Sequence, residues 1–533
     1  MTAPFDDQTA AHAFARRYWC LAVTCVALTI IGMALTILNV AIPALNQELG
    51  ADASDLQWIF AAYGLLFSGI VVAGGSLGDR FGRRLALVAG LVIFGIASGL
   101  GAFSTDPTQL IVARAFMGVG AALIMPGTLS IITTVFPPAE RERAIGIWSG
   151  VGGLGFILGP PLGGILLREY WWGSVLLVNL PLVALTIVAT LVIVPESRDP
   201  SRTPLDLAGV ALSIVTITGL LFAFIEAPDA GWGGVPVLVG FAVAALGAAA
   251  FVVRELTAAQ PMLDVRLFRR ATFTAPALMI VFGFFVAWGL LFLLPQFLQF
   301  VEGESVLVVG MLLASISLTW CVFCLLTPSF TARAGERYVI AAGLLVAAGG
   351  TALLWAATSG ATVPWLVTAL LVMGAGMGTA MVPSTTMLVG ALPPEKAGVG
   401  SAMNDVTREF GTAFGVAVLG SVLALRYQDL MGDAVGVLPE AERAGAANNI
   451  GDAVAAAGRL GGTQGDQLLE TARSAFTSGL RLAIVVGVVI LVATTIVVLA
   501  VLPRPRHVHR WARTGPFGRL HHHPSPAVVP SPE

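Results

Sequence analysis

Long apolar stretches separated by short polar ones make up most of this chain. They lie near residues 18–43, 56–77, 85–103, 109–135, 144–167, 173–194, 206–226, 235–253, 272–300, 306–330, 338–358, 364–390, 399–425 and 478–502. A membrane-spanning helix needs about 20 mostly apolar residues. The runs are continuous rather than alternating, which excludes membrane-spanning β-strands. The pattern therefore predicts an all-α integral membrane protein with fourteen transmembrane helices, called segments 1–14 here.

The composition agrees with burial in lipid. The 533 residues are 56% hydrophobic and 11% charged, whereas a soluble protein carries about 25% charged residues. Too few polar residues are present to cover a water-facing surface. The net charge of −2 gives no bias toward nucleic acid. Cys321 and Cys324 form a CxxC inside an apolar run, but no second ligand pair accompanies them, so we interpret them as small apolar residues.

The distribution of arginine predicts the orientation. An even number of crossings places both termini on one side of the membrane. If that side is the cytoplasm, most of the 29 Lys and Arg residues fall in cytoplasmic segments, and Arg168 is the basic residue of the short outside loops. Excess Lys and Arg in cytoplasmic loops is the expected signal. We therefore predict a multi-pass protein of the bacterial cytoplasmic (inner) membrane with both termini in the cytoplasm.

The polar loop after segment 2 carries the most distinctive motif. It reads Gly75, Ser76, Leu77, Gly78, Asp79, Arg80, Phe81, Gly82, Arg83, Arg84. Its glycines permit a tight turn and close helix approach, and Asp79 can pair with an arginine when that side of the protein is shut. A plain basic loop is the alternative. The run resembles the cytoplasmic signature G-x-L-x-D-R-x-G-x-R of the major facilitator superfamily. The resemblance implies a gating loop that consists of Gly75, Gly78, Asp79, Arg80, Gly82, Arg83 and Arg84.

A weaker copy of this loop follows segment 10, where Arg333, Gly335 and Arg337 repeat its spacing. The copy indicates two related six-helix halves. Segments 7 and 8 are then an inserted pair, which resembles the fourteen-helix branch of drug–proton antiporters. The prediction is a major facilitator fold with two pseudo-symmetric halves. Its parts are an N-terminal cytoplasmic tail at 1–17, a first half at 18–194, the inserted pair with cytoplasmic loops at 195–270, a second half at 271–502 and a disordered cytoplasmic tail at 503–533.

The stretch 426–476 between segments 13 and 14 is rich in Ala and Gly and carries mixed charges. We interpret it as a solvated outside loop that partly folds over the mouth of the protein. Short amphipathic helices are the alternative.

Segment 5 contains a regular glycine pattern. Gly155, Gly159 and Gly163 recur every four residues and form a flat face for close packing, while Pro160 removes a backbone donor and bends the helix. A generic packing helix explains the glycines but not the Gly-Pro pair. The segment resembles the antiporter signature G-x-x-x-G-P-x-x-G-G through Gly155, Gly159, Pro160, Gly163 and Gly164. Within the superfamily this motif marks exporters, so the resemblance implies export.

Two polar intrusions are candidates for proton coupling. Arg114 in segment 4 costs about 2.5–3.5 kcal/mol to insert, so it must face a cavity or a partner; it resembles the R-x-x-x-G motif implicated in proton transfer. A structural arginine bound to carbonyls is the alternative. Segment 13 opens with Asn404, Asp405, Arg408 and Glu409 and resembles the branch motif N-x-x-x-R-x-x-G. Its two acids are coupling candidates, or they pair with the arginine at the membrane interface.

Segment 1 departs from the branch pattern, because the acidic position of that pattern falls on Ala34. This change puts in question both a helix 1 acid in coupling and strong recognition of cationic drugs. The remaining polar or soft side chains still predict a substrate cavity. Its candidate residues are Thr36, Asn39, Tyr63, Met117, Asn404 and Arg408, with Tyr63 as an interfacial anchor in the alternative interpretation.

Together these features predict a secondary transporter that exports small amphipathic molecules by proton antiport with alternating access. A dedicated exporter of one metabolite, lipid or self-made antibiotic is the alternative. An enzyme is not expected, because all six histidines lie in the terminal segments, and neither a cofactor nor a metal is expected. No phosphate-binding loop is present, so ATP is not the direct energy source. The expected partners are the substrate, protons and the bilayer, and we expect a monomer to function.

Overall fold

The structure is a computed structural model that describes residues 16–197, 206–258, 265–358, 363–391 and 397–503. All regular elements in this part are helices. The long ones are α1 (Arg17–Leu49), α2 (Ala53–Phe81), α3 (Arg83–Ala102), α4 (Pro107–Val135), α5 (Pro138–Glu169), α6 (Ser174–Ile193), α7 (Leu207–Ala230), α8 (Val235–Thr257), α9 (Ala271–Val301), α10 (Val306–Ala334), α11 (Glu336–Ala357), α12 (Val363–Gly390), α13 (Ala397–Met431) and α14 (Gly462–Val501). A turn of 3₁₀ helix at Ile37–Ala41 interrupts α1, and α9 ends in a π-helical turn at Phe297–Val301.

Most of these helices match the apolar runs. In the described residues, 13 helices are long and apolar enough to cross a membrane, which confirms an all-α membrane protein. Every labelled helix is among them except α5, whose 32 residues include the glycines and prolines of the antiporter motif. The total of fourteen crossings therefore stays a prediction.

Helix packing repeats between two halves. In the first half α2 and α3 pack on α4, and α1 packs on α5; in the second half α10 and α11 pack on α12, and α9 packs on α13. Each second pair follows from the first by an offset of eight helices, which is six for one half plus the inserted α7 and α8. The halves meet where α5 packs on α10 and where α2 packs on α13, two contacts that the same offset exchanges. Helix α7 packs on α8, α2 and α13.

The two related loops adopt related conformations. Gly82 and Gly335 have φ angles of 128° and 81°, values that favour glycine because a side chain there is strained. Arg84 donates a hydrogen bond to the carbonyl of Val194 beyond α6 at 3.5 Å. Arg337 donates to the carbonyl of Leu499 at the end of α14. The weak sequence echo thus corresponds to a repeated turn and a repeated helix-end contact.

Helix α5 fits tightly between one helix from each half. A Cβ atom at Gly155 would collide with the carbonyl of Thr29 in α1, and one at Gly159 would collide with the hydroxyl of Thr36. On the other side, a Cβ atom at Gly164 would lie 2.9 Å from the Cα of Leu307 in α10. The glycines therefore set the distances from α5 to both neighbours.

For 426–476 the structure favours the alternative of short helices. Helix α13 continues to Met431 and α14 begins at Gly462. Between them lie a 3₁₀ turn at Ala434–Val437 and two short α-helices, Glu440–Asn448 and Ile450–Leu460. Alanine-rich sequence favours helix, and helix α14 starts where Gly461 and Gly462 take positive φ angles of 63° and 58°. The stretch is therefore largely helical rather than an irregular solvated loop.

We call the two short helices the cap. Although the cap belongs to the second half by sequence, its second helix contacts α1 of the first half, where Gly451 lies against Asn46. Burial raises the pKa of Asp452 above its usual range, and a hydrogen bond from the side chain of Asn46 opposes that rise. The cap thus joins the two halves at one end of the bundle. Of the predicted tail at 503–533, only Pro503 is described.

The close contact of α5 predicts a position-specific loss of stability. Replacing Gly159 with Val places a branched side chain against α1. We expect the free energy of unfolding to fall by about 1–3 kcal/mol, the usual range for overpacking. The matched change Gly349→Val lies in α11, where a Cβ atom meets nothing within 4 Å. Thermal unfolding of both purified variants in detergent measures the difference. Equal unfolding temperatures would contradict the packing described here.

Candidate functional site

Arg114 of α4 lies at the centre of the first half with 1% of its surface exposed. Its Nε donates to the carbonyl of Ile59 in α2 at 3.2 Å, and Nη1 donates to the carbonyl of Ala34 in α1 at 3.5 Å. Its guanidinium carbon lies 4.7 Å from the ring centre of Tyr63, within the range of a cation–π interaction. Arg114 therefore ties three helices together.

This arrangement also shows what the change at position 34 does. Ala34 is fully buried. Its carbonyl accepts a hydrogen bond from Arg114, and no carboxylate at position 34 competes for that donor. The structural alternative for Arg114, an arginine bound to backbone carbonyls, describes these contacts well.

Tyr63 lies inside the bundle and not at a membrane interface. It is 1% exposed, its ring stacks on Phe67 at 6.3 Å, and its hydroxyl finds no hydrogen-bond partner within the described residues. A buried hydroxyl without a partner is costly, so this oxygen can accept or donate a bond when a ligand or water arrives. This placement argues against the interpretation of Tyr63 as an interfacial anchor.

The polar start of α13 forms a second cluster. The hydroxyl of Thr385 in α12 donates to Asn404 at 3.0 Å, and the amide of Asn404 donates to Asp405 at 3.4 Å. Arg408 lies 3.9 Å from the Asp405 carboxylate, with 22% and 14% of the two side chains exposed. The pair is loose, because a strong charge-assisted hydrogen bond is about 2.7–2.9 Å long.

Glu409 faces away from this cluster, toward the other half. Its Oε2 atom would lie 3.2 Å from a Cβ atom at Gly64 in α2. Glu409 is 9% exposed, and Oε2 finds no hydrogen-bond partner in the part of the chain that is described. A carboxyl group therefore lies in the contact between α2 and α13, where the two halves touch. Arg114 and Tyr63 lie on the same side of this contact, in the first half.

Three other cavity candidates lie in packed positions. The hydroxyl of Thr36 donates to the carbonyl of Gly32 at 3.2 Å and packs against Gly159, so it belongs to the α1–α5 contact. Asn39 is 5% exposed within the 3₁₀ turn, and Met117 is fully buried in the core. Glu409 and Arg408 remain the candidates best placed to face a substrate or a proton.

Comparison with known proteins decides the family. The pattern of the Major Facilitator Superfamily matches residues 24–416. The chain belongs to this superfamily.

Several relatives of this superfamily member are named as efflux, export or resistance proteins. The multidrug efflux pump LfrA of Mycolicibacterium smegmatis is 33% identical, over 91% of this chain and 96% of that protein. The tetracenomycin C resistance and export protein of Streptomyces glaucescens is 32% identical, over 92% of each chain. The methyl viologen resistance protein SmvA of Salmonella typhimurium is 32% identical, over 81% and 87%. These relatives agree with the prediction of a drug efflux transporter.

Solved structures of superfamily transporters share the fold. A bacterial homologue of the human lysosomal transporter Spinster, in an inward-facing and unoccupied conformation, matches with a TM-score of 0.62 at 17% identity, over 91% of this chain and 97% of that one. A D-xylose–proton symporter matches with a TM-score of 0.60 at 15% identity, over 91% and 98%. At this identity the likeness shows the fold, and it confirms the predicted major facilitator architecture.

The basic loop after α2, predicted to act as a gate in this superfamily member, has an acidic partner that sequence reasoning missed. The carboxylate of Glu196 accepts from the backbone N–H of Arg84 at 3.2 Å and lies 3.7 Å from its Nε. A Cβ atom at Gly82 would lie 2.5 Å from that carboxylate. The sequence offered one signal for this contact. Glu196 directly follows segment 6, which places it on the same predicted side of the membrane as the basic loop. Arg80 is exposed beside the ring of Phe81, and the side chain of Asp79 lies outside the described residues.

Loss of Arg114 should impair transport more than insertion. Arg114→Ala leaves the carbonyls of Ile59 and Ala34 without this donor, and an unpaired buried carbonyl costs about 1–3 kcal/mol. We expect the efflux rate of a fluorescent substrate to fall about tenfold or more, the effect of about 1.4 kcal/mol on a rate. The amount of protein in the membrane, measured by immunoblot, normalises the rate. Efflux by Arg114→Ala at the rate of the unsubstituted protein would refute the role.

Proposed function

We propose that this protein exports small amphipathic molecules, drugs and antibiotics among them, across the bacterial cytoplasmic membrane in exchange for protons. The observation that carries the proposal is the position of Glu409. Its carboxyl group lies in the contact between α2 and α13, and one of its oxygens has no hydrogen-bond partner in the described residues. Protonation there acts on the surface along which the two halves must move.

The state of this carboxyl group biases the contact between the halves. A protonated carboxyl fits a close helix contact, whereas burial there disfavours a carboxylate, which only the charges of the nearby Arg408 and Arg114 offset. Ionisation therefore favours a conformation in which α2 and α13 part and water reaches Glu409. A proton and a substrate that stabilise opposite conformations exchange across the membrane by alternating access.

Two observations support export as the direction. Helix α5 carries the Gly-Pro motif and is held between α1 and α10 by close backbone contacts. The relatives that match most of the chain are named as efflux and export proteins.

Contacts between the halves at the capped end define the conformation. Phe60 of α2 meets Phe292 of α9 with ring centres 5.5 Å apart, and Gln299 donates to the carbonyl of Val40 at 3.3 Å. If the cap lies outside, as the arginine distribution predicts, the structure is closed to the outside. Closure to the outside is required of an exporter while it loads substrate from the cell.

A dedicated exporter of one metabolite or self-made antibiotic is the second candidate. Ala34 favours it, because a buried acid at that position, which the family pattern provides, would serve broad recognition of cations. Coupling through Glu409 works equally for both candidates.

The proton-coupling test replaces the Glu409 carboxyl group. Glu409→Gln keeps the size of the side chain and removes its titration, so we expect proton-driven substrate uptake into inverted membrane vesicles to fall to the level of protonophore-treated vesicles. Asp429→Asn is the matched control on the same helix, since its carboxylate is 67% exposed. Asp405→Asn should have a smaller effect because Asp405 already contacts Arg408. Full proton-driven transport by Glu409→Gln would remove this carboxyl from the mechanism.

The orientation is tested by fusions at the two ends of the bundle. We propose that both termini are cytoplasmic and that the cap is outside, because cytoplasmic loops concentrate Lys and Arg. Alkaline phosphatase inserted after Gly436, an exposed position before the cap, should be active, and a fluorescent protein fused after Glu533 should fluoresce. An inactive phosphatase at the cap together with a non-fluorescent C-terminal fusion would reverse the orientation. We also propose that the monomer is the functional unit.

A further inference from the structure

Four aromatic rings form a cluster that crosses the boundary between the halves, here called the ring cluster. Phe156 of α5 contributes from the first half, and Phe284 and Trp288 of α9 with Trp320 of α10 contribute from the second half. The centre of Trp288 lies 6.1 Å from Phe156, 5.5 Å from Phe284 and 6.0 Å from Trp320, and Phe284 lies 5.5 Å from Trp320. Most of these pairs meet edge to face, a favourable geometry for aromatic rings.

The ring cluster ends at a cation with bonding capacity left. The guanidinium carbon of Arg408 lies 4.9 Å from the ring centre of Phe284. Its buried Nε finds no hydrogen-bond partner in the described residues, and its only described ion pair, with Asp405, is 3.9 Å long. Part of the side chain, 22%, stays exposed. A donor without a described partner is therefore present next to the rings.

We infer that the ring cluster and Arg408 bind planar aromatic substrates that carry a carbonyl or phenolate oxygen. The inference rests on the proposed export function and names the substrate class. The flat rings of Phe284, Trp288 and Trp320 take the aromatic body of the substrate, and Arg408 donates to its oxygen.

The charges around the cluster decide between oxygen-bearing and cationic molecules. Among the described residues, Arg408 is the charged group in contact with the rings, and it repels a cationic aromatic ring. The acid of the family pattern in helix 1 is replaced by Ala34. The Glu409 carboxyl group is directed toward Gly64 of α2, although it still interacts electrostatically with Arg408. Asp405 lies beside Arg408 and offsets part of its charge. The site therefore selects neutral or anionic aromatic molecules over cationic ones.

The position of the cluster links binding to movement. Phe156 and Trp288 belong to different halves, and they meet near the α5–α10 contact. A planar molecule held among these rings touches both halves at once. Its binding free energy then depends on the distance between them, which is the requirement for a ligand that shifts a conformational equilibrium.

The test measures binding to purified full-length protein in detergent, without a proton gradient. The probe is anthraquinone-2-carboxylate, followed by equilibrium dialysis, and ethidium is the cationic comparison. We expect Trp288→Leu and Arg408→Gln each to raise the Kd of the probe about tenfold, the effect typical of a lost aromatic contact or a lost charge-assisted hydrogen bond. We expect Arg408→Gln to leave the Kd of ethidium unchanged or lower it. Trp288→Phe keeps a ring and should retain most of the affinity.

The matched control is Trp365→Leu, because Trp365 is 54% exposed on α12 and away from the cluster. An unchanged Kd in Trp288→Leu and Trp320→Leu, or an equal loss in Trp365→Leu, overturns the inference. Binding of ethidium as tight as that of the probe also overturns the inference. A loss in Trp288→Leu that Trp288→Phe does not restore also counts against the rings. If binding follows the expectation but vesicle transport ignores a protonophore, the proton coupling fails and the substrate class stands.

Discussion

Close contact between glycine-bearing helices is the constraint on which the rest of this structure depends. In a bilayer, lipid tails are as apolar as leucine, so helices associate through tight packing and not through the hydrophobic effect. Gly155 and Gly159 bring α5 onto the backbone of α1. Gly411 and Gly415 bring α13 onto the carbonyls of Val281 and Phe285 in α9. These are equivalent pairs in the two halves, so each half is held by backbone contact between its helices. Gly164 of α5 makes a similarly close contact with Leu307 of α10 across the boundary between the halves.

The buried polar groups divide according to this arrangement. Arg114 lies within one half, and its donors reach carbonyls of two neighbouring helices. Glu409 lies between the halves, with an oxygen that no described residue bonds. A satisfied group stabilises a fixed arrangement, and an unsatisfied one gains when its surroundings change. The first is suited to holding a half together and the second to coupling a proton to the separation of the halves.

Some of this structure could be predicted from the sequence and some could not. The helices follow from the length of the apolar runs, and the paired halves follow from the echo at Gly335. Helical periodicity placed Thr36 on a polar face, but it does not tell which neighbour that face meets, and the neighbour is Gly159.

The start of α14 was predicted sixteen residues late, at 478 instead of 462, because Ala, Leu, Gln, Glu and Arg favour a helix without forming a long apolar run. The ring cluster was missed for a different reason. Its members come from α9, α10 and the distant α5, and only packing brings Phe156 to the rings of the other two helices.

The inserted helices make the two contact surfaces between the halves, here called seams, unequal. One seam is the α2–α13 contact and the other is the α5–α10 contact. Helix α7 packs on both α2 and α13, and the hydroxyl of Ser421 in α13 donates to the carbonyl of Phe224 in α7. The seam that contains Glu409 is thereby shielded from the hydrocarbon of the membrane. Among the described helices, none packs on α5 and α10 as α7 packs on α2 and α13. The pseudo-symmetry that relates the two halves therefore does not extend to the two surfaces along which they meet.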